Sequence, residues 1–310
     1  MIKRSNINKD YVGQIMVLPF LITFLIFGIW PTVNTFRLSF TNTVLMNRDY
    51  SYTGFRNYYL ILTDPTFLFA LKNTLKIWLM NFIPQMGAAL LFSVWFSSKR
   101  LNLKGIGVYR AIFYLPNILM SAAVAALFAS LFDLYGPINQ ILVRAGILNE
   151  GFNFFRNGSF TRAIVIYIQW FMWFGQTIII IMAGMTGISG DFYESAMIDG
   201  ATSSVMFRKI TIPLLKPVMV YVLVTSVVGG LQMFDIPYML TDGRGAPNGS
   251  VMTLNIFMYL KYNSSKGHIG LASTVGVIEF ILTILASIVI FKILDPKEKV
   301  QKSSLERGIK

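Results

Sequence analysis

Three side chains near the middle of this chain have the types and spacing to hold a sugar. Gln169, Trp173 and Gln176 recur at i, i+4 and i+7, so a helix puts them on one face. An indole stacks on the apolar C–H face of a sugar ring, while carboxamides exchange hydrogen bonds with its hydroxyls. Trp170, next to them, suits an interfacial aromatic belt. Farther on, Ser226, Gly229, Gly230, Met233 and Pro237 share a helical face, with Gln232 and Asp235 beside it. Paired glycines open room for a solute, and the same small residues would equally serve helix packing. Glu279 is a lone carboxyl in an apolar run, better suited to a hydrogen-bonded place between helices than to a proton relay.

The elements that carry these residues are membrane spans. Of 310 residues, 55% are hydrophobic and 13% charged, against about a quarter charged in soluble domains. That excess of apolar side chains needs lipid as its solvent. The net charge of +13 flanks apolar runs instead of clustering, which argues against nucleic acid as a partner. The absence of cysteine excludes disulfides and thiol chemistry, and one histidine, His268, argues against a metal centre.

Six runs are long and apolar enough to cross about 30 Å of hydrocarbon: residues 11–36, 77–96, 111–132, 163–188, 218–240 and 269–291. The first follows Lys3, Arg4 and Lys9 but is too long for a signal peptide and has no A-x-A site, so it reads as a retained helix. With a cytoplasmic amino terminus, the inner segments carry 16 basic residues in 73 positions and the outer ones 11 in 104. Both termini are therefore assigned to the cytoplasm, with the tail from Asp295 as a solvated end.

The loop 189–217 then lies inside. It holds "YESAMIDGATSSVMFRKITIPLLKP". Asp191 and Glu194 suggest a capping box, Gly200 a helix stop, Thr202 or Ser203 a second cap, and Pro213 and Pro217 a break before the fifth span. By itself such a helix–Gly–helix could simply cover the bundle. The chain has no Walker A motif and not one Gly-Lys dipeptide, so energy from ATP must enter through another protein.

The spacing Glu194-Ser195-Ala196, three residues, Gly200, nine residues, Ile210-Thr211-Ile212-Pro213 resembles the EAA motif of permeases in bacterial ATP-binding cassette importers, with Ser195 and Ile212 as mild departures. "YTGFRNYYLILTDPTFLFALKNTL", "YRAIFYLPNILMSAAVAALFASLFDLYGPIN", "FDIPYMLTDGRGAP" and "GLAST" are similar to other segments of carbohydrate-type, maltose-like permeases. The resemblance implies an all-α membrane protein of six spans with the type I importer fold, in one permease domain over residues 1–310, in the bacterial inner membrane. It implies a coupling helix in which Glu194 pairs with an ATPase, Ala196 and Gly200 allow close approach, Met197 and Ile198 anchor, Asp199 precedes the stop, and Pro213 sets the angle into the fifth span. It also implies a second, homologous permease, cytoplasmic ATP-binding subunits that hold the ATP and Mg, and an external solute-binding protein, which the flexible outer loop 241–250 would face unless that loop is a plain turn. No cofactor is implied for this chain. The same architecture could import glycerol phosphate or an amino acid. An ion-coupled transporter would need paired intramembrane carboxylates and repeated halves, and a membrane enzyme clustered histidines or acids, and neither is evident.

Overall fold

The structure, a computed structural model, describes residues 9–45, 51–97 and 104–294. The expectations for Lys3, Arg4 and the tail from Asp295 lie outside the described residues. Among those described, the structure is helical, with one isolated antiparallel bridge between Thr41 and Tyr52. The chain divides into two compact units, residues 1–64 with 258–278, and residues 65–257 with 279–310.

The first unit opens with α1 (Lys9–Phe24), a π-helical turn (Leu25–Ile29) and α2 (Trp30–Ser39), which together form one apolar span. None of its apolar window is buried inside this chain, so its faces are left for lipid or another protein. Thr23, Thr32 and Thr35 return their hydroxyls to the carbonyls four residues back, which satisfies them without water. The short helix α3 (Arg56–Leu62) follows. The Asn57 amide donates to the carbonyls of Ser39 and Thr41 at 2.9 and 2.7 Å, and Thr274 Oγ1 donates to Ser39 O at 3.1 Å. Lys261 and Asp64 pair at 2.9 Å.

The second unit is built on α4 (Pro65–Ser97). This helix starts twelve residues before the expected span. Lys72 and Lys76 end the apolar run at Ile77, but they do not end the backbone hydrogen-bond ladder, which continues past the hydrocarbon. The third expected span is not one straight helix. Helices α5 (Ile106–Ile118) and α6 (Ser121–Leu131) meet at a 93° bend. Pro116 removes a ladder donor in the last turn, and Leu119 and Met120 adopt extended backbone with ψ of 142° and 129°. A surface helix, α7 (Pro137–Arg144), leads to α8 (Gly158–Thr186), whose first turn is capped by Asn157 accepting from Ser159 and Phe160.

Helix α8 is the hub of this unit. Ala89 and Phe96 of α4 pack with Phe174, Ile178 and Ile181. Gly175 lets α5 come closer still, because a Cβ there would stand 1.8 Å from the Phe113 carbonyl oxygen. In lipid, packing and interhelical hydrogen bonds replace the hydrophobic drive, each bond contributing about 0.6 kcal/mol on average. Gln85 Nε2 donates to Thr177 Oγ1 at 2.7 Å and Ser93 Oγ donates to Ile178 O at 3.1 Å, so both polar groups are used in that way.

After α8 come α9 (Gly190–Ile198), α10 (Ser203–Met206), a π turn (Phe207–Thr211) and α11 (Ile212–Leu214). The fifth span is also broken: α12 (Lys216–Leu231) ends at Gln232, and α13 (Asp235–Leu240) resumes after a short gap. Helix α13 sits by α6, where Ile236 joins Val124, Ala125 and Phe128. Helices α14 (Leu254–Tyr262) and α15 (Ile269–Leu294) are the last elements among the described residues. Among the described residues, five helices are long and apolar enough to span a membrane, and the bent α5–α6 pair, counted as one span, makes a sixth.

Candidate functional site: a protruding loop and an uncharged cleft

The protruding loop differs from its expected start. The cap of α9 is Ser189, whose hydroxyl accepts from Asp191 N at 3.3 Å. Asp191 lies in the first turn, two residues after the cap, where its carboxylate complements the helix dipole. The end matches the reading of Gly200, which has φ of +75°. Ala201 N bonds to Ala196 O at 2.9 Å and Gly200 N to Met197 O at 3.1 Å, a paired closure that needs a left-handed residue. Thr202 caps α10 by accepting from Val205 N.

None of the residues of α9 is buried. Glu194, Ser195 and Asp199 are exposed, Ala196 is half-buried, and Met197 and Ile198 are 56% and 86% exposed. Met197 and Ile198 thus leave an adjacent apolar pair on the surface of a charged loop. Ile210 falls in the π turn and Pro213 in α11. A bond that the sequence did not suggest ties the loop together: Tyr193 OH and Thr211 Oγ1 lie 2.9 Å apart.

The second feature is a cleft of about 140 Å³ between α4, α8 and α12. Gln169, Trp173, Gln176, Ser226, Gly229, Gly230 and Met233 all line it. Gln232 and Asp235 are exposed and stand outside it, because the helix break at Gln232 turns them away. Three lining residues on α4 escaped the sequence reading: Trp78, Asn81 and Gln85. Their i, i+3, i+7 spacing was there to be seen, in a run judged only by its hydropathy. Tyr221, Thr225 and Thr177 complete the polar lining.

Every polar side chain on this wall is neutral. Trp78 Nε1 donates to Ser226 Oγ at 3.0 Å, and its ring fills the notch left by Gly230. Asn117 Nδ2 donates to Gln176 Oε1 at 3.2 Å, which fastens the bend of α5 to the cleft. Trp173 on the cleft wall is 46% exposed.

Two other expectations meet the structure here. The loop 241–250 is fastened at its far end: Asn73 Nδ2 donates to Gly249 O at 2.8 Å and Arg162 Nε to Ser250 O at 2.9 Å. Glu279 is buried and bonded to the Asn255 side chain. Among the described residues no cluster of His, Cys, Asp or Glu could hold a metal ion.

Residues 12–300 match the family described as binding-protein-dependent transport system inner membrane component. This chain belongs to that family. It is therefore a transport subunit of the inner membrane, not an enzyme. The permease is 30% identical over 258 residues to the lactose transport system permease protein of Rhizobium radiobacter, covering 83% of this chain and 85% of that one. It is 30% identical to the trehalose/maltose transport system permease protein of Thermococcus litoralis over 283 residues, 91% and 93% of the two chains. Among solved structures it resembles a chain of a bacterial ABC transporter involved in the import of the acidic polysaccharide alginate. The TM-score there is 0.76 at 21% identity, over 93% of this permease and 96% of that chain. That likeness establishes the type I importer fold of the permease.

Proposed function

We propose that this permease is half of the transmembrane pathway of an ATP-driven importer for neutral sugars, oligosaccharides above all. A second, homologous permease supplies the other half. ATP and Mg are bound by separate cytoplasmic subunits, which grip the loop 191–213 through Glu194, Met197 and Ile198. An external solute-binding protein delivers the sugar, and both termini of the permease lie in the cytoplasm. The curated relatives, named for lactose and for trehalose/maltose, support the class of solute.

One observation carries the choice of a neutral sugar: the cleft offers two indoles and primary amides and no ionised side chain. A phosphate or an amino acid would enter a low-dielectric cleft with no counter-charge, at a cost that a hydroxylated ring avoids. Indole faces and amides match ring C–H groups and hydroxyls.

The test is uptake into vesicles holding this permease with its companion permease, ATPase and binding protein. Lactose, maltose, trehalose and arabinotriose are the probes, set against glycerol 3-phosphate and glutamate. Nucleotide-dependent uptake of at least one saccharide, with none of the anions, supports the reading. Uptake of an anion alone overturns it, as does uptake of any solute with no ATP hydrolysed.

A further inference from the structure

The wall that α4 contributes to the cleft has three polar side chains, and two of them are committed. Gln85 donates to Thr177 Oγ1 at 2.7 Å. Trp78 donates to Ser226 Oγ at 3.0 Å and stacks on Phe82 with ring centres 5.6 Å apart. The third, Asn81, is 7% exposed, lines the cleft, and its Oδ1 has no hydrogen-bond partner.

A buried carbonyl oxygen without a donor is destabilising. Apolar side chains fit the second span equally well, so the amide is not there for solubility. Native structures rarely keep such a group unless something uses it. The lining presents no ammonium or guanidinium to satisfy Asn81 from within. What the oxygen lacks is a donor, and a sugar brings hydroxyl donors. The place is suited to one: Asn81 lies one turn from Trp78, whose indole is held immobile by Ser226 and by the bare Cα of Gly230.

We propose that Asn81 is a specificity-determining residue on the second span, whose carboxamide takes a hydroxyl of a neutral sugar ring resting on the Trp78 indole. This rests on the reading of the cleft as the sugar path. Ser226 then acts through Trp78, holding the platform in place. The second span becomes a wall of the site in its own right, beside Trp173.

The experiment compares Asn81→Leu, Asn81→Ser and Trp173→Ala in the reconstituted full transporter. It measures uptake of lactose, maltose, trehalose and arabinotriose, and thermal unfolding of the assembled complex. A residue that reads one hydroxyl alters the relative rates among these saccharides. Both Asn81 variants are expected to change the ratio of the best to the second-best probe by at least about threefold. Asn81→Leu is also expected to raise the melting midpoint by about 2 °C or more, since it removes an orphan polar group. A lower midpoint in Asn81→Leu overturns the proposal, because Asn81 would then be a structural residue. So does an unchanged probe ratio in Asn81→Ser when Trp173→Ala impairs uptake. If Trp173→Ala and both Asn81 variants leave uptake intact, the cleft is not the path, and the underlying reading falls with the proposal.

Discussion

Tyr193 OH lies 2.9 Å from Thr211 Oγ1, a bond that joins α9 to the root of the fifth span across the Gly200 turn. Thr211 is 7% exposed. A knob that conveys a partner's motion must move as one body with the span it drives, and this bond makes the two ends of the loop a single unit. Tyr193→Phe removes only the hydroxyl and leaves a buried threonine short of a partner, a loss of about 1 kcal/mol. Uptake per ATP hydrolysed is expected to fall while the amount of protein in the membrane stays the same. Thr211→Ser keeps the bond and should keep coupling. An undiminished uptake-to-hydrolysis ratio in Tyr193→Phe would remove this bond from the coupling route.

Gly200 tests the same loop from its backbone. A Cβ there would meet nothing within 4 Å, so space is not the constraint. Its φ of +75° is. A left-handed residue other than glycine costs about 1–2 kcal/mol, less for asparagine. Uptake should therefore rank wild type above Gly200→Asn, and that above Gly200→Ala. Gly200→Asp, which also adds a charge to the loop, should abolish uptake with the protein still in the membrane. Normal uptake by Gly200→Asp contradicts a role for this turn in coupling.

Adjacent glycines on α12 are expected to behave oppositely. At Gly229 an added Cβ meets nothing within 4 Å, whereas at Gly230 it would lie 2.0 Å from Trp78 Cδ1. Gly230→Ala must evict the indole and break its bond to Ser226. Gly229→Ala should leave folding near wild type, within about 0.5 kcal/mol. Gly230→Ala should shift the tryptophan emission of the purified chain and reduce saccharide uptake severely. Equal uptake in the two variants would show that Trp78 does not need its notch.

These residues also mark where sequence reasoning reached its limit. Gly200 and Thr202 were legible because a turn leaves a local signature: a left-handed glycine and a cap within a few residues. Gln169, Trp173 and Gln176 were legible because polar groups are conspicuous in an apolar run. The α5–α6 bend was not, since Pro116 announces a disturbance but not its angle, and proline inside α4 at Pro84 leaves that helix unbroken. Trp78 and Asn81 were hidden for another reason. Hydropathy averages over all faces of a helix, and which face of α4 meets α8 is decided by packing at Gln85–Thr177 and Ser93–Ile178, nearly a hundred residues apart in the chain. The carboxamides of Gln232 and Asn117 show the same thing in reverse. Gln232, singled out in the sequence, is turned away by a helix break, while Asn117 reaches the cleft through Gln176.

Trp173 and Gln176 separate binding from support. Trp173 is 46% exposed, so cutting it to alanine empties no closed core. Its loss should change stability by less than about 1 kcal/mol while saccharide uptake drops several-fold, in line with the stacking surface removed. Gln176 has a structural duty as well, because its Oε1 accepts from Asn117 Nδ2 at 3.2 Å beside the α5–α6 bend. Gln176→Ala should therefore lower both uptake and the melting midpoint. Gln176→Glu keeps an acceptor for Asn117 but places a charge in a neutral cleft, so it should hold the midpoint closer to wild type and lose neutral-sugar uptake. Uptake measured with detergent-based melting on the same three variants distinguishes the roles. Wild-type uptake in both Trp173→Ala and Gln176→Glu would take this helical face out of the sugar path.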